Sequence, residues 1–165
     1  MEINRVLKPD IMMVLDECSP YPVDYKRAER ALVRTTKWAK RALEAIKKIP
    51  EEDFISEPFG IIQGAFDHKL RKRSAEEICS LGFKGIAIGG LSVGEPKDLM
   101  VQILDEMMQH IPVEVPRYLM GVGSIPEMLN AVECGVDMFD CVLPTRLGRH
   151  GTLLIPGGKI NLRNA

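Results

Sequence analysis

Five short apolar runs recur along the chain, each closed by a polar residue or a glycine and followed by a stretch of helical periodicity. That alternation predicts an α/β fold with a parallel sheet, because parallel neighbours need a crossover between them. The chemistry-bearing residues sit after every run rather than after the first alone. That distribution favours part of an eight-stranded (β/α)8 barrel over an open doubly wound sheet. No GxGxxG or GxxxxGK[ST] follows the first run, which removes the best support for a nucleotide-binding open sheet.

The first run is DIMMVL, Asp10 to Leu15, continuous and apolar like a strand buried on both faces. It ends at Asp16. After Ser19-Pro20-Tyr21-Pro22, a helix is predicted from Asp24, its N-cap, to Lys48, with Ala31, Trp38, Ala42, Ala45 and Ile49 on one face. The acidic loop PEEDFISEP leads to the second run, Phe59 to Ile62, closed by Gln63. Leu70, Ser74, Ile78 and Leu81 mark the next helix, and Gly82 suits its C-terminal end.

The third strand is predicted over Gly85 to Ile88, followed by Gly89-Gly90, and Pro96 opens a helix reaching Met108. Arg117 to Met120 is the fourth strand, followed by Gly121. Ser124 and Glu127 have the spacing of a capping box, with Gly135 just past the helix end. Asp137 to Val142 is the fifth strand. About five βα units make roughly five-eighths of a barrel. The expected organisation is a partial barrel over 1–149, with the start of a β-hairpin over 150–165. The chain reads as a piece of something longer.

Composition sets few limits on partners. The 22 Lys and Arg nearly balance 23 Asp and Glu, so any basic surface has to be local. No apolar run approaches the roughly 20 residues that span a bilayer, which argues against a membrane partner. The N-terminus lacks the apolar core of a signal peptide, so a cytoplasmic location is expected. Cys18, Cys79, Cys134 and Cys141 form no CxxC pair. Their spacing argues against a zinc site or a disulfide framework and for reduced, buried thiols.

In a barrel, the residues after the five runs converge on one mouth. Asp16, Gln63, Gly89-Gly90, Met120-Gly121 and Asp140 then supply two carboxylates, an amide, approachable backbone and a soft apolar side chain. Such a set suits a purine base: a carboxylate accepts from its ring N–H and exocyclic amine, and glycine lets the ring approach the backbone. Singly, each has a plainer reading. An Asp after a strand is commonly a turn residue, a Met is commonly core, and Arg146 and Arg149 would be a solvated face. Five such residues at five successive strand ends favour a site.

The motifs DIMMVLDECSPYP, FGIIQGA, IAIGGLSVGE, YLMGVG and GVDMFDCVLPTR, followed by GTLL and INLRNA, resemble the barrel of the bacterial tRNA-guanine transglycosylases, or queuine tRNA-ribosyltransferases. The resemblance covers essentially the whole chain, and FDCVLPTR together with GGLSVGE is its most specific part. It implies exchange of the wobble guanine of tRNA for a 7-substituted 7-deazaguanine on the route to queuosine. Asp140 would be the nucleophile that forms a covalent bond to the ribose. Asp16 and Gln63 would read the base, and Gly89 and Gly90 would border it, with Gly90 donating to its carbonyl. The Leu91 backbone would sense the 7-substituent, and Met120 and Gly121 would lie beneath the ring. Arg146 and Arg149 would meet the anticodon loop.

The departures matter equally. The SGGFQ-like motif that carries the family's second catalytic aspartate is absent, as is the aromatic residue that stacks on the base from the same region. The resemblance implies a structural zinc and a homodimer for the full-length family, with the zinc ligands lying outside this chain. Ala65 stands where a second glycine is common. The expectation is therefore an incomplete enzyme with little activity alone. A non-catalytic tRNA-binding accessory subunit, an archaeosine-type relative and an unrelated phosphate-binding barrel are the rivals. Asp16, Gln63 and Asp140 together weigh against the first, the acids weigh against the last, and the FDCVLPTR form weighs against the second.

Overall fold

The computed structural model describes residues 2–50 and 54–162. Residues 51–53 of the acidic loop and the tail of the INLRNA motif lie outside the described residues. A short helix, α1 (Glu2–Leu7), precedes the repeat and has no counterpart in the sequence-based expectation. Then come β1 (Ile11–Met13), α2 (Tyr25–Ile46), β2 (Glu57–Ile62), α3 (His68–Cys79), β3 (Gly85–Ile88), α4 (Lys97–Met108), β4 (Arg117–Leu119), α5 (Ile125–Glu133) and β5 (Met138–Phe139). A second short helix, α6 (Leu143–Arg149), leads into an antiparallel hairpin of β6 (Thr152–Ile155) and β7 (Gly158–Asn161).

The five strands β1 to β5 lie in sequence order in one parallel sheet, curled as half of a barrel. The partial barrel expected from the alternation is present. Register fixes which side chains share a face. Phe59 pairs with Gly85, Ile61 with Ala87, Ala87 with Tyr118, and Tyr118 with Met138. Counting two residues on along each strand puts Gln63, Gly89, Met120 and Asp140 in one row at the C-terminal rim. The opposite face, including Ile62, Ile86, Ile88 and Leu119, is buried against the helices with Ile78, Ile103 and Leu104.

Two glycines make that packing possible. A Cβ at Gly85 would stand 2.2 Å from the Phe59 ring, which lies across the strand where a side chain would be. A Cβ at Gly60 would stand 2.5 Å from Phe83 on the helical face. Both aromatic rings fill space their neighbours vacate, so the sheet stays close-packed without a larger residue at either position.

Helix starts follow the expected chemistry. Asp24 accepts a hydrogen bond from the Arg27 amide at 3.0 Å, and Asp67 does the same for Leu70 at 2.9 Å. The capping box at α5 forms differently. The Ser124 hydroxyl donates to the Glu127 carboxylate at 2.6 Å, and no side-chain bond reaches the helix backbone. The other Glu127 oxygen lies 3.3 Å from Lys97 of α4.

Strand β5 is shorter than Asp137 to Val142, and its ends explain why. The Asp137 carboxylate takes the Arg117 amide at 2.9 Å, and the Asp140 carboxylate takes the Gly121 amide at 2.6 Å. Side chains thus occupy the next donors on β4. The arginines 146 and 149 lie on α6, not in a loop, with proline in the first helical turn. All four cysteines are free thiols, yet none is buried as expected: Cys18 is exposed and the others are half-buried. Among the described residues, no helix is long and apolar enough to cross a membrane.

Candidate active site

Every residue singled out from the strand ends lies at the C-terminal rim, but they form two clusters. The first joins β1, β2 and β3. Gln63 is fully buried and donates from Nε2 to Asp16 Oδ2 at 2.6 Å. Its own backbone N–H donates to the Ser74 hydroxyl at 3.0 Å, so α3 holds the residue from behind. Gln63 Oε1 is buried without a hydrogen-bond partner among the described residues. An unpaired buried acceptor is costly unless a ligand completes it.

Gly89 and Gly90 face this pair. A Cβ at Gly89 would stand 2.6 Å from Gln63 Nε2, and one at Gly90 would stand 2.4 Å from Gln63 Oε1. Gly90 also has φ of +68°, where a side chain is strained. Both requirements point to glycine. Leu91 follows and is buried. The loop beyond is tied by Glu95, whose carboxylate accepts from the Ser92 amide at 2.5 Å and the Val93 amide at 2.8 Å.

The residue that organises this cluster was missed from the sequence. Arg71 of α3 is completely buried, and its guanidinium donates to the carbonyls of Ala65 at 2.7 Å, Gly89 at 2.7 Å and Gly90 at 3.0 Å. It fastens the IIQGA and GG strand ends together. Burial pulls its pKa down to about 10, and it remains charged at neutral pH. Its position on the inward stripe with Ser74 and Ile78 was the available signal, since an arginine there has to find acceptors. Ala65 has φ of +50°, a strained value for a residue with a side chain. Nearby, Thr35 of α2 accepts from the Glu17 amide at 2.9 Å, which anchors the chain just past Asp16. Burial and the Asp16 charge both push the Cys18 thiol up, while Arg71 and the Gly90 amide act the other way.

The second cluster joins β4 and β5. Asp140 Oδ1 accepts from the Tyr118 hydroxyl at 2.7 Å and from the Gly121 amide at 2.6 Å. Asp140 is exposed, and among the described residues its Oδ2 accepts no hydrogen bond. One oxygen is held and the other accepts no hydrogen bond among the described residues. That arrangement suits a carboxylate nucleophile, which needs a fixed position and a free lone pair. A Cβ at Gly123 would stand 2.0 Å from Cys141, so glycine there lets the residue after Asp140 pack against the preceding loop. Met120 lies between the clusters, half-buried. Arg146 and Arg149 are exposed on α6 and form no ion pair among the described residues.

Tyr118 was also missed, although it shares a face with Met120 two residues on. Burial first, then the Asp140 hydrogen bond and charge, push its phenol up to about 12. An unfolded tyrosine releases its proton near about 10. The folded chain holds that proton more tightly, so this contribution is full below about pH 10 and is lost as pH rises toward 12. Tyr118→Phe should flatten the loss of stability between those pH values, read by denaturant melts. It should also slow any Asp140-dependent reaction by about tenfold, the value of one hydrogen bond. An alkaline stability profile identical in both proteins would contradict the assignment.

The sequence profile of the family described as Queuine tRNA-ribosyltransferase matches residues 1–165. A queuine tRNA-ribosyltransferase of Desulforamulus reducens is 51% identical over 165 residues, which is 100% of this chain and 43% of that protein. That of Symbiobacterium thermophilum is 50% identical over 163 residues, 99% of this chain and 40% of its own length. That of Bacillus subtilis is 48% identical over 165 residues and is covered to 42%. The chain thus spans about two-fifths of the length of these curated relatives. It belongs to the queuine tRNA-ribosyltransferase family.

Proposed function

We propose that this chain carries the base pocket and the nucleophile of a tRNA-guanine transglycosylase. The observation that supports this most is Asp140, with one oxygen held by two donors and the other free, on the same rim as the Asp16–Gln63 pair. Asp140 Oδ2 attacks the ribose anomeric carbon of the wobble nucleotide as the glycosidic bond breaks. The departing guanine takes the bonding electrons and then a proton. The incoming 7-substituted 7-deazaguanine attacks the same carbon through its ring nitrogen, gives up that nitrogen's proton in place of the one guanine took, breaks the bond to Asp140 and regenerates the carboxylate. The overall change is a pentosyl transfer in two displacements.

Base recognition falls to the first cluster. Asp16 accepts from the ring N–H and exocyclic amine of guanine, and Gln63 turns its amide from Asp16 toward the base. The orphaned Gln63 Oε1 gains a partner in the same movement. Gly90 donates its amide to the base carbonyl, the Leu91 backbone meets the 7-substituent, and Met120 and Gly121 lie under the ring. Arg146 and Arg149 contact the anticodon loop, whose phosphates suit the guanidinium fork. The wobble base has to leave its stack to reach this pocket.

The remaining expectations concern the full-length protein. A tRNA substrate places the reaction in the cytoplasm, and the complete protein acts as a homodimer. A structural zinc would take its ligands from outside this chain. Among the described residues, no three His, Cys, Asp or Glu side chains lie where they could hold a metal ion. The proton-transfer aspartate and the stacking aromatic residue belong to the absent segments.

The test is incorporation of labelled guanine into tRNA. One sample is this chain alone, and the other is a chimera in which it replaces the matching segment of the Bacillus subtilis relative. The chimera should exchange guanine, and the isolated chain should be at least about 10⁴-fold slower. Lost acid–base assistance and an open, loosely positioned pocket together account for that factor. Comparable turnover would contradict the division of labour proposed here.

A further inference from the structure

The charge balance of the whole chain hides a segregation. Helix α2 carries seven Lys and Arg against two Glu, a net of +5, in a chain of net charge −1. Lys26, Arg30, Arg34, Lys37 and Arg41 are all exposed, and at 100° per residue they fall within an arc of about 80°. They form a stripe about 22 Å long, directly opposite the buried Leu32 and Ala39.

A plain solvated helix would interleave acids with these cations. Helix α3 does so, with Lys72 beside Glu76 and Arg73 beside Glu77 at one-turn spacing. On the α2 stripe, only Arg34 has an ion-pair partner among the described residues, Glu17. Like charges one turn apart repel and weaken a helix. The stripe therefore maintains a local cost that an external polyanion would relieve. Its apolar face is committed to the core, so the helix cannot embed in a bilayer as an amphipathic anchor does. The stripe starts at the rim, because α2 opens at Asp24, eight residues past Asp16.

We propose that the outer face of α2 is an RNA-binding surface. It holds the phosphodiester backbone of the tRNA away from the base pocket, and this rests on the tRNA reading above. Phosphate contacts of this kind position the substrate without reading its sequence. They make affinity fall with salt in proportion to the number of phosphates neutralised.

The experiment is a salt titration of the binding of a fluorescent tRNA transcript, with a wobble guanine, to the 165-residue chain. The triple variant Arg30→Gln, Lys37→Gln, Arg41→Gln should lower the slope of log K against log salt by about 2. It should weaken binding by about 10²-fold at roughly 0.1 M salt. Circular dichroism should show its helix content unchanged. A scattered triple of equal charge, Lys8→Gln, Lys84→Gln, Lys159→Gln, should leave the slope nearly unchanged. Equal losses from both triples would overturn the proposal, since net charge alone would then suffice. So would capture on phosphatidylglycerol vesicles that is lost in the α2 triple while tRNA binding persists, which would assign the stripe to a membrane surface. If α2-dependent binding holds but no base exchange is found in the chimera, the catalytic reading fails and the surface stands.

Discussion

Asp140→Asn in the chimera is expected to lower guanine exchange by about 10⁴-fold or more. The substitution is nearly isosteric, and its amide oxygen can still accept from the Tyr118 hydroxyl and the Gly121 amide, so the rim should keep its shape. What disappears is the free anionic oxygen. An amide cannot form and release the bond to ribose, so the two-displacement path closes. Guanine affinity and tRNA affinity should each stay within a few-fold of the parent, because neither depends on that oxygen. Guanine incorporation over time, together with separate binding titrations, checks this. Residual turnover within tenfold of the parent would remove Asp140 from the nucleophilic role.

Asp16→Asn should act at a different step. Asp16 now accepts a short bond from Gln63 Nε2, and the proposed base replaces that partner with two donors of its own. An asparagine offers one acceptor and one donor in the same place, so one guanine N–H meets another N–H. Sites built on hydrogen bonds reject such mismatches by about 10⁴-fold. The expected result is a loss of that order in kcat/KM for guanine, with the KM for tRNA little changed. Unchanged base preference would exclude Asp16 from recognition. Because Asp16 and Asp140 lie in clusters that share no hydrogen bond among the described residues, their effects on binding and on chemistry should separate.

Much of this architecture is legible in the residues. Gly85 to Ile88 reads as a strand and is one, and the two-residue alternation leading to Gln63, Gly89, Met120 and Asp140 fixes their common rim. Asp24 illustrates how far local chemistry carries, since its side chain caps α2 from three residues away. The residues that escaped notice act across the fold. Arg71 takes its meaning from the Gly89 and Gly90 carbonyls 18 and 19 positions later, and Tyr118 from Asp140, 22 positions later. No local pattern announces such partners. Helix α6 has no counterpart in the sequence-based expectation, although proline in its first turn is favoured. The short β5 reflects side chains at 137 and 140 capturing backbone donors that a longer ladder would have used.

The most direct measurement is capture of the covalent intermediate. The chimera is mixed with tRNA without free base, denatured, digested with nuclease and protease, and analysed by mass spectrometry. The expected result is a nucleotide-derived mass on the peptide containing Asp140, absent from the Asp140→Asn variant and discharged when guanine is added before denaturation. An adduct on any other residue, or single-turnover exchange with no adduct at all, would contradict a nucleophilic Asp140.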